Sequence, residues 1–124
     1  MKTILVTLSN HLYTESRARL CASAKTFGIN KIISYDFEDI KPSVFYLKNK
    51  YLLDNAKYMG YWLWKPFIIA KTLATLNEGD VLIYLDAGAE VISSLDPLIK
   101  LCETVEPILL FGNATDINSD WIRI

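Results

Sequence analysis

His11 is the only histidine in the chain, so neither a catalytic triad nor a zinc ligand set can be assembled around it. It follows the first apolar run and reads as an exposed loop residue. Cysteine is nearly as scarce. Cys21 and Cys102 are too few for a disulfide scaffold, and both fall in helix-like apolar patterns. Buried free thiols in a reducing, cytoplasmic compartment are therefore expected. The five glycines never fall into a GxGxxG or Walker arrangement, which removes support for Rossmann-type dinucleotide binding and for P-loop ATPase chemistry. No apolar run approaches the roughly 18 residues of a membrane-spanning helix. The opening run, residues 3–8, is shorter than the roughly 7–15-residue core of a signal peptide and has no small-residue cleavage site behind it. No transmembrane segment is expected.

What the chain does have is apolar content. Hydrophobic residues make up 52% of its 124 residues, enough for a real core and enough to exclude disorder. That length suits one ordinary domain of about 100–150 residues. The formal net charge of −1 hides an asymmetry: residues 1–71 carry 11 basic and 5 acidic side chains, whereas residues 72–124 carry 2 and 9. Phosphate-backbone binding needs clustered positive charge without a matching acidic half, so nucleic acid is not an expected partner. The two halves either simply attract each other or enclose a cleft that holds an anionic ligand together with a cation.

Strand and helix patterns alternate along the chain. Residues 3–8 are a β-branched run bounded by Ser9-Asn10 and read as a buried strand. Thr14 is placed to cap a helix reaching Phe27, with Leu20, Ala24 and Phe27 on its apolar face and Gly28 at its left-handed end. Residues 31–35 form a second strand, and Pro42 opens a short helix in a stretch rich in Tyr and Lys. Pro66 suits the first turn of a helix running to Leu76, with Ile69, Leu73 and Leu76 as its apolar stripe. Residues 81–85 are the clearest strand and are expected to be central and buried. Asp96-Pro97 start a helix with Leu98, Leu101, Cys102 and Val105 on one face. A last strand is expected over residues 107–111, before Gly112-Asn113 turn into a polar tail. The alternation predicts an α/β fold, a mostly parallel sheet with helices on both faces, in a single domain over residues 1–124.

Ligands of open α/β sheets bind at the carboxyl ends of the strands. That rule points at Ser9-Asn10, at Asp36 and above all at Asp86-Ala87-Gly88. An Asp leaving a strand beside small residues suits a cation. The small neighbours let a diphosphate and its metal approach the backbone, and carboxylate oxygens suit Mg2+ or Mn2+. The same tripeptide also fits an ordinary turn in which Asp86 bonds local amides. Trp62, Trp64 and Lys65 lie at a predicted helix start, where backbone N–H groups and the helix dipole favour an anion. A lysine there can hold a phosphate, and an aromatic face can stack on a base or sugar. For at least one of the two tryptophans, packing in the core is the plainer role.

The segment Gly60-Tyr61-Trp62-Leu63-Trp64-Lys65-Pro66, followed after one helix by Gly79-Asp80-Val81-Leu82-Ile83-Tyr84-Leu85-Asp86-Ala87-Gly88, resembles the donor-binding half of GT-A-fold glycosyltransferases. The likeness is to a group of microbial and viral sugar transferases with the pattern GYWxWKP…GDxxxYLDAG, and it covers most of the chain. It implies a Rossmann-like GT-A fold. It also implies metal-assisted transfer of a sugar from a UDP- or GDP-type nucleotide sugar to a glycan or other acceptor, as in polysaccharide biosynthesis. Asp86, Ala87 and Gly88 stand where such enzymes carry their DxD motif, which makes Asp86 the implied ligand of Mn2+ or Mg2+. Trp64 and Lys65 are the implied donor contacts, and Thr7, Ser9 and Asn10 mark the strand end where this fold receives the nucleoside. Gly88 replaces the second Asp, normally the more direct metal ligand. Either Asp86 acts with Glu90 and water, or metal use is weaker than in DxD enzymes.

The resemblance assigns no catalytic residue. GT-A transferases build the acceptor site after this region, so the chain is expected to be the N-terminal donor-binding part of a longer enzyme. An apolar sheet edge or face left open would then drive self-association. A non-catalytic nucleotide-binding or interaction fragment without turnover is the alternative from a different class. Haloacid-dehalogenase-type phosphatases need a second Asp two residues after the first and a nearby Thr, which Gly88-Ala89 do not supply.

Overall fold

The computed structural model describes residues 1–111. The N-terminal run TILVTLS forms strand β1 (Thr3–Ser9), buried at every position from Ile4 onward. Its side chains alternate between the two faces of the strand, so both faces need cover. β1 receives that cover in the middle of a three-stranded, all-parallel sheet of order β2-β1-β3, with β2 at Lys31–Asp36 and β3 at Val81–Tyr84. The register sets Ser9 beside Asp36 and Val6 beside Tyr84, so β1 and β2 end together while β3 stops short. Asp80 lashes the opposite end of the sheet. Its carboxylate accepts from the Lys2 N–H at 2.8 Å and from the Asn77 N–H at 3.0 Å.

On one face, Leu5 packs with Leu20 and Ala24 of α1 (Thr14–Thr26) and with Ile99 of α5 (Asp96–Thr104). On the other, Val6 and Leu8 pack against Trp64 and Ile68 of α4 (Trp64–Leu73). Ser43 caps α2 (Val44–Asn55), its hydroxyl accepting from the Tyr46 N–H, and α2 joins α4 through a Phe45–Phe67 stack with ring centroids 4.2 Å apart. The short α3 (Lys57–Tyr61) connects the two. Fully burying each Leu, Ile or Val contributes about 1.5–3 kcal/mol, so β1 alone anchors much of both cores. The result is a Rossmann-like α/β arrangement with helices on both faces of a parallel sheet. No helix among the described residues is long and apolar enough to cross a membrane.

Several local expectations change. β3 is not central: it is half-buried along its length and lies at the edge of the described sheet, because the chain adds it on the far side of β1. Residues 107–111 form no strand, and Ile108, Leu110 and Phe111 are exposed. A short apolar run becomes a strand only where a neighbour offers a ladder, and here it pairs with none of β1, β2 or β3. The buried stripe of α4 is Trp64, Ile68 and Thr72, one position ahead of the expected Ile69, Leu73 and Leu76. Apolar residues surround this helix, so periodicity alone does not select the face. In α5 the buried residue is Ile99, while Leu98 and Leu101 remain exposed, as does Val105 just past its end. Thr14 does not cap α1. Asn10 instead caps a preceding 3-10 turn (His11–Tyr13), accepting from the Leu12 N–H at 3.0 Å. Gly28 does take the left-handed conformation at the end of α1, with φ of 93°. Cys21 and Cys102 are unpaired but half-buried rather than buried. The expected turn at Gly112-Asn113 and the polar tail lie outside the described residues.

Candidate functional site

Three positive φ angles, 53° at Met59, 79° at Gly60 and 60° at Trp62, turn the chain sharply from the last residues of α3 to the start of α4. Left-handed conformations at non-glycine residues are costly and persist only where the surroundings enforce them. The turn delivers Lys65 into the first turn of α4, on the side where the chain leaves β3. There Lys65 Nζ meets Asp86 Oδ1 at 2.8 Å, and the Tyr84 hydroxyl donates to the same oxygen. The rings of Trp62, Tyr84 and Trp64 surround the ammonium, their centroids 5.4, 5.5 and 5.8 Å from Nζ. Burial pushes the Asp86 carboxyl up, but the hydrogen bonds from Lys65 and Tyr84 outweigh it and hold the group below its ordinary range. Burial first, and then the bond to Asp86, keeps the Tyr84 phenol protonated well above the usual tyrosine range.

The backbone closes its own turn here, the Ala89 N–H donating to the Asp86 carbonyl at 2.9 Å. The Asp86 side chain is therefore directed to Lys65 and Tyr84 rather than spent on local amides. Ala87 is buried, Gly88 and Glu90 are exposed, and a Cβ at Gly88 would meet only open space. The start of α4 offers an anion little backbone. The Leu63 N–H donates to Gly60 O at 3.1 Å, the Lys65 N–H to Trp62 O at 2.9 Å, and Pro66 has none. Attraction to a negative ligand rests on Lys65 Nζ. Trp64 itself is 3% exposed and packs in the core, with its indole N–H lacking an acceptor among the described residues.

Divalent cations such as Mg2+ are held by about six oxygens, several of them from carboxylates or water. Among the described residues no group of three His, Cys, Asp or Glu side chains is placed to hold a metal ion. Asp86 Oδ1 already carries an ammonium and a phenol, which leaves a cation one carboxylate oxygen, Oδ2. As arranged, this donor set does not fit a resident divalent ion.

The remaining expected residues gather at the ends of β1 and β2. Thr7 is fully buried, and Ser9, also buried, donates its hydroxyl to the Asn10 carbonyl at 3.0 Å. Asn10 and His11 line a cleft of about 310 Å³ with Asp36, Glu38, Asp54 and Met59. Beneath it, Arg17 donates through Nη1 to the carbonyls of Ser9 and Tyr35, and its Nη2 lies 3.5 Å from Asp36 Oδ2. The structure thus brings Trp64, Lys65 and Asp86 together, while Asn10 lines a cleft whose walls include none of the three. Sequence reasoning missed Tyr84 and Arg17. Tyr84 was findable, since it stands two residues before Asp86 and strand alternation turns such pairs the same way. Arg17 carried no local signal, because its partners come from two other elements. Comparison of the chain with protein-family models, with curated proteins and with solved structures finds no match.

Proposed function

We propose that the chain binds the diphosphate of a UDP- or GDP-type nucleotide sugar and serves GT-A-type glycosyl transfer to a glycan acceptor in a cytoplasmic setting. The observation that carries this reading is Lys65, ringed by Trp62, Trp64 and Tyr84 and paired with Asp86 at the carboxyl end of β3. A lysine ammonium makes strong charge-assisted hydrogen bonds to phosphate oxygens, and aromatic faces suit a sugar or a base. The cleft at the ends of β1 and β2 supports it further, because Asn10, Asp36 and Asp54 are acceptors for the hydroxyls of a nucleoside. The catalytic task is to neutralise the charge that develops on the departing diphosphate. Lys65 is one source of the neutralising charge.

A thermal-shift screen tests the reading. UDP, GDP or their sugar conjugates are expected to stabilise the protein in preference to ATP and NAD. Lys65→Met is expected to weaken diphosphate binding by about 1–3 kcal/mol while leaving uridine or guanosine binding unchanged. Preferential binding of NAD or ATP would overturn the reading. Equal losses for nucleoside and nucleoside diphosphate would show that the substitution acts on the fold.

A further inference from the structure

Resting on that nucleotide reading, we propose that the cation facing the diphosphate is Lys65 itself rather than a divalent ion. Asp86 is then a positioning residue that holds the ammonium in the site and yields it to the incoming ligand. The DxD-like motif leaves Asp86 two roles, metal ligand or turn former, and its bonding matches neither. Its carboxylate takes the Lys65 ammonium at 2.8 Å and the Tyr84 hydroxyl on one oxygen, while the turn is closed by backbone alone. Where a second metal-binding carboxylate would be wanted, Gly88 has no side chain, and no group of three metal-ligating side chains exists among the described residues.

The pair is built for exchange. The Lys65 side chain is 27% exposed and that of Asp86 is 63% exposed, so solvent and ligands reach the carboxylate side of the contact. Such an ion pair is weak. A diphosphate brings more negative charge than one carboxylate, and it finds the ammonium already partly desolvated and confined by three rings. The Tyr84 hydroxyl bonded to Asp86 stands beside the same ammonium as a second donor. Among the described residues this is also the ion pair that joins the basic residues 1–71 to the acidic residues 72–124.

The two roles of Asp86 predict opposite signs, which a titration of the full chain with UDP, GDP and inorganic pyrophosphate reads directly. Wild type is expected to bind the diphosphates equally in EDTA and in Mn2+. Asp86→Asn, at a largely exposed position, is expected to bind them up to about fivefold more tightly, since a competing carboxylate is gone. Lys65→Met is expected to lose about tenfold to a hundredfold, with most of it restored in Lys65→Arg. Mn2+-dependent binding in wild type that disappears in folded Asp86→Asn would overturn the inference and leave the nucleotide reading standing. The wild-type comparison of EDTA with Mn2+ decides this even if a variant fails to fold. Failure of wild type to bind any nucleoside diphosphate in either buffer would overturn both.

Discussion

Thr7 sits in β1 with its side chain fully buried and its hydroxyl without a partner among the described residues. By strand alternation it shares the face of Leu5, under α1. A buried unsatisfied hydroxyl costs about 1–3 kcal/mol, so Thr7→Val, which keeps the shape, is expected to be neutral or stabilising in urea unfolding. Nucleotide binding is expected to be unchanged, because a fully enclosed side chain does not reach a ligand. Loss of binding in a folded Thr7→Val protein would return Thr7 to the nucleoside site. Lys65 and Asp86 illustrate the opposite case. Each was legible from its motif, the lysine before Pro66 and the acid ending an apolar run. Their direct pairing was not, because it depends on where α4 lies across the sheet.

At the scale of elements, the joint between α3 and α4 carries most of the positioning. Gly60 takes φ of 79°, and an added Cβ would stand 3.0 Å from Leu53 Cδ2 and 3.1 Å from Leu53 Cα. Gly60→Ala therefore meets both a left-handed backbone and a neighbouring main chain that cannot move aside. It is expected to cost about 1–3 kcal/mol, read as a lower urea midpoint. Gly28→Ala is the control, since its φ is 93° but nothing lies within 4 Å of the added carbon. It is expected to cost less, and equal losses would show that the Leu53 contact is unimportant. β1, α1 and β2 were readable because β-branched runs, a glycine stop and a clean apolar face agree. The faces of α4 and α5 were not, since several apolar rows compete and only packing selects one.

Across the whole molecule, the described residues leave apolar surface uncovered. Leu98 and Leu101 of α5 are 38 and 42% exposed, Val105 just after it is 64% exposed, and Ile108, Leu110 and Phe111 further along the chain are exposed as well. β3 forms an open edge of the described sheet. Open edges and contiguous apolar patches favour association, and the occupant expected here is a second copy of the chain. Light scattering is expected to show a mass that rises with concentration, together with binding of an apolar dye. Replacing Leu101 and Val105 with Glu is expected to reduce both signals. A monodisperse monomer that binds no dye would contradict the expectation.

The sequence by itself determined the alternation of strands and helices, the burial of the first strand and the residues from which a site could be built. These follow from local chemistry: side-chain branching, apolar period, and the backbone demands of glycine and proline. The tertiary structure decided which strand is central, which row of each helix faces the sheet, and that Asp86 is bonded to Lys65 and Tyr84. Those choices depend on contacts between residues far apart in the chain. The apolar pattern of residues 81–85 is the same whether the strand lies in the middle of a sheet or at its edge, and only the pairing of β1 with both neighbours distinguishes the two.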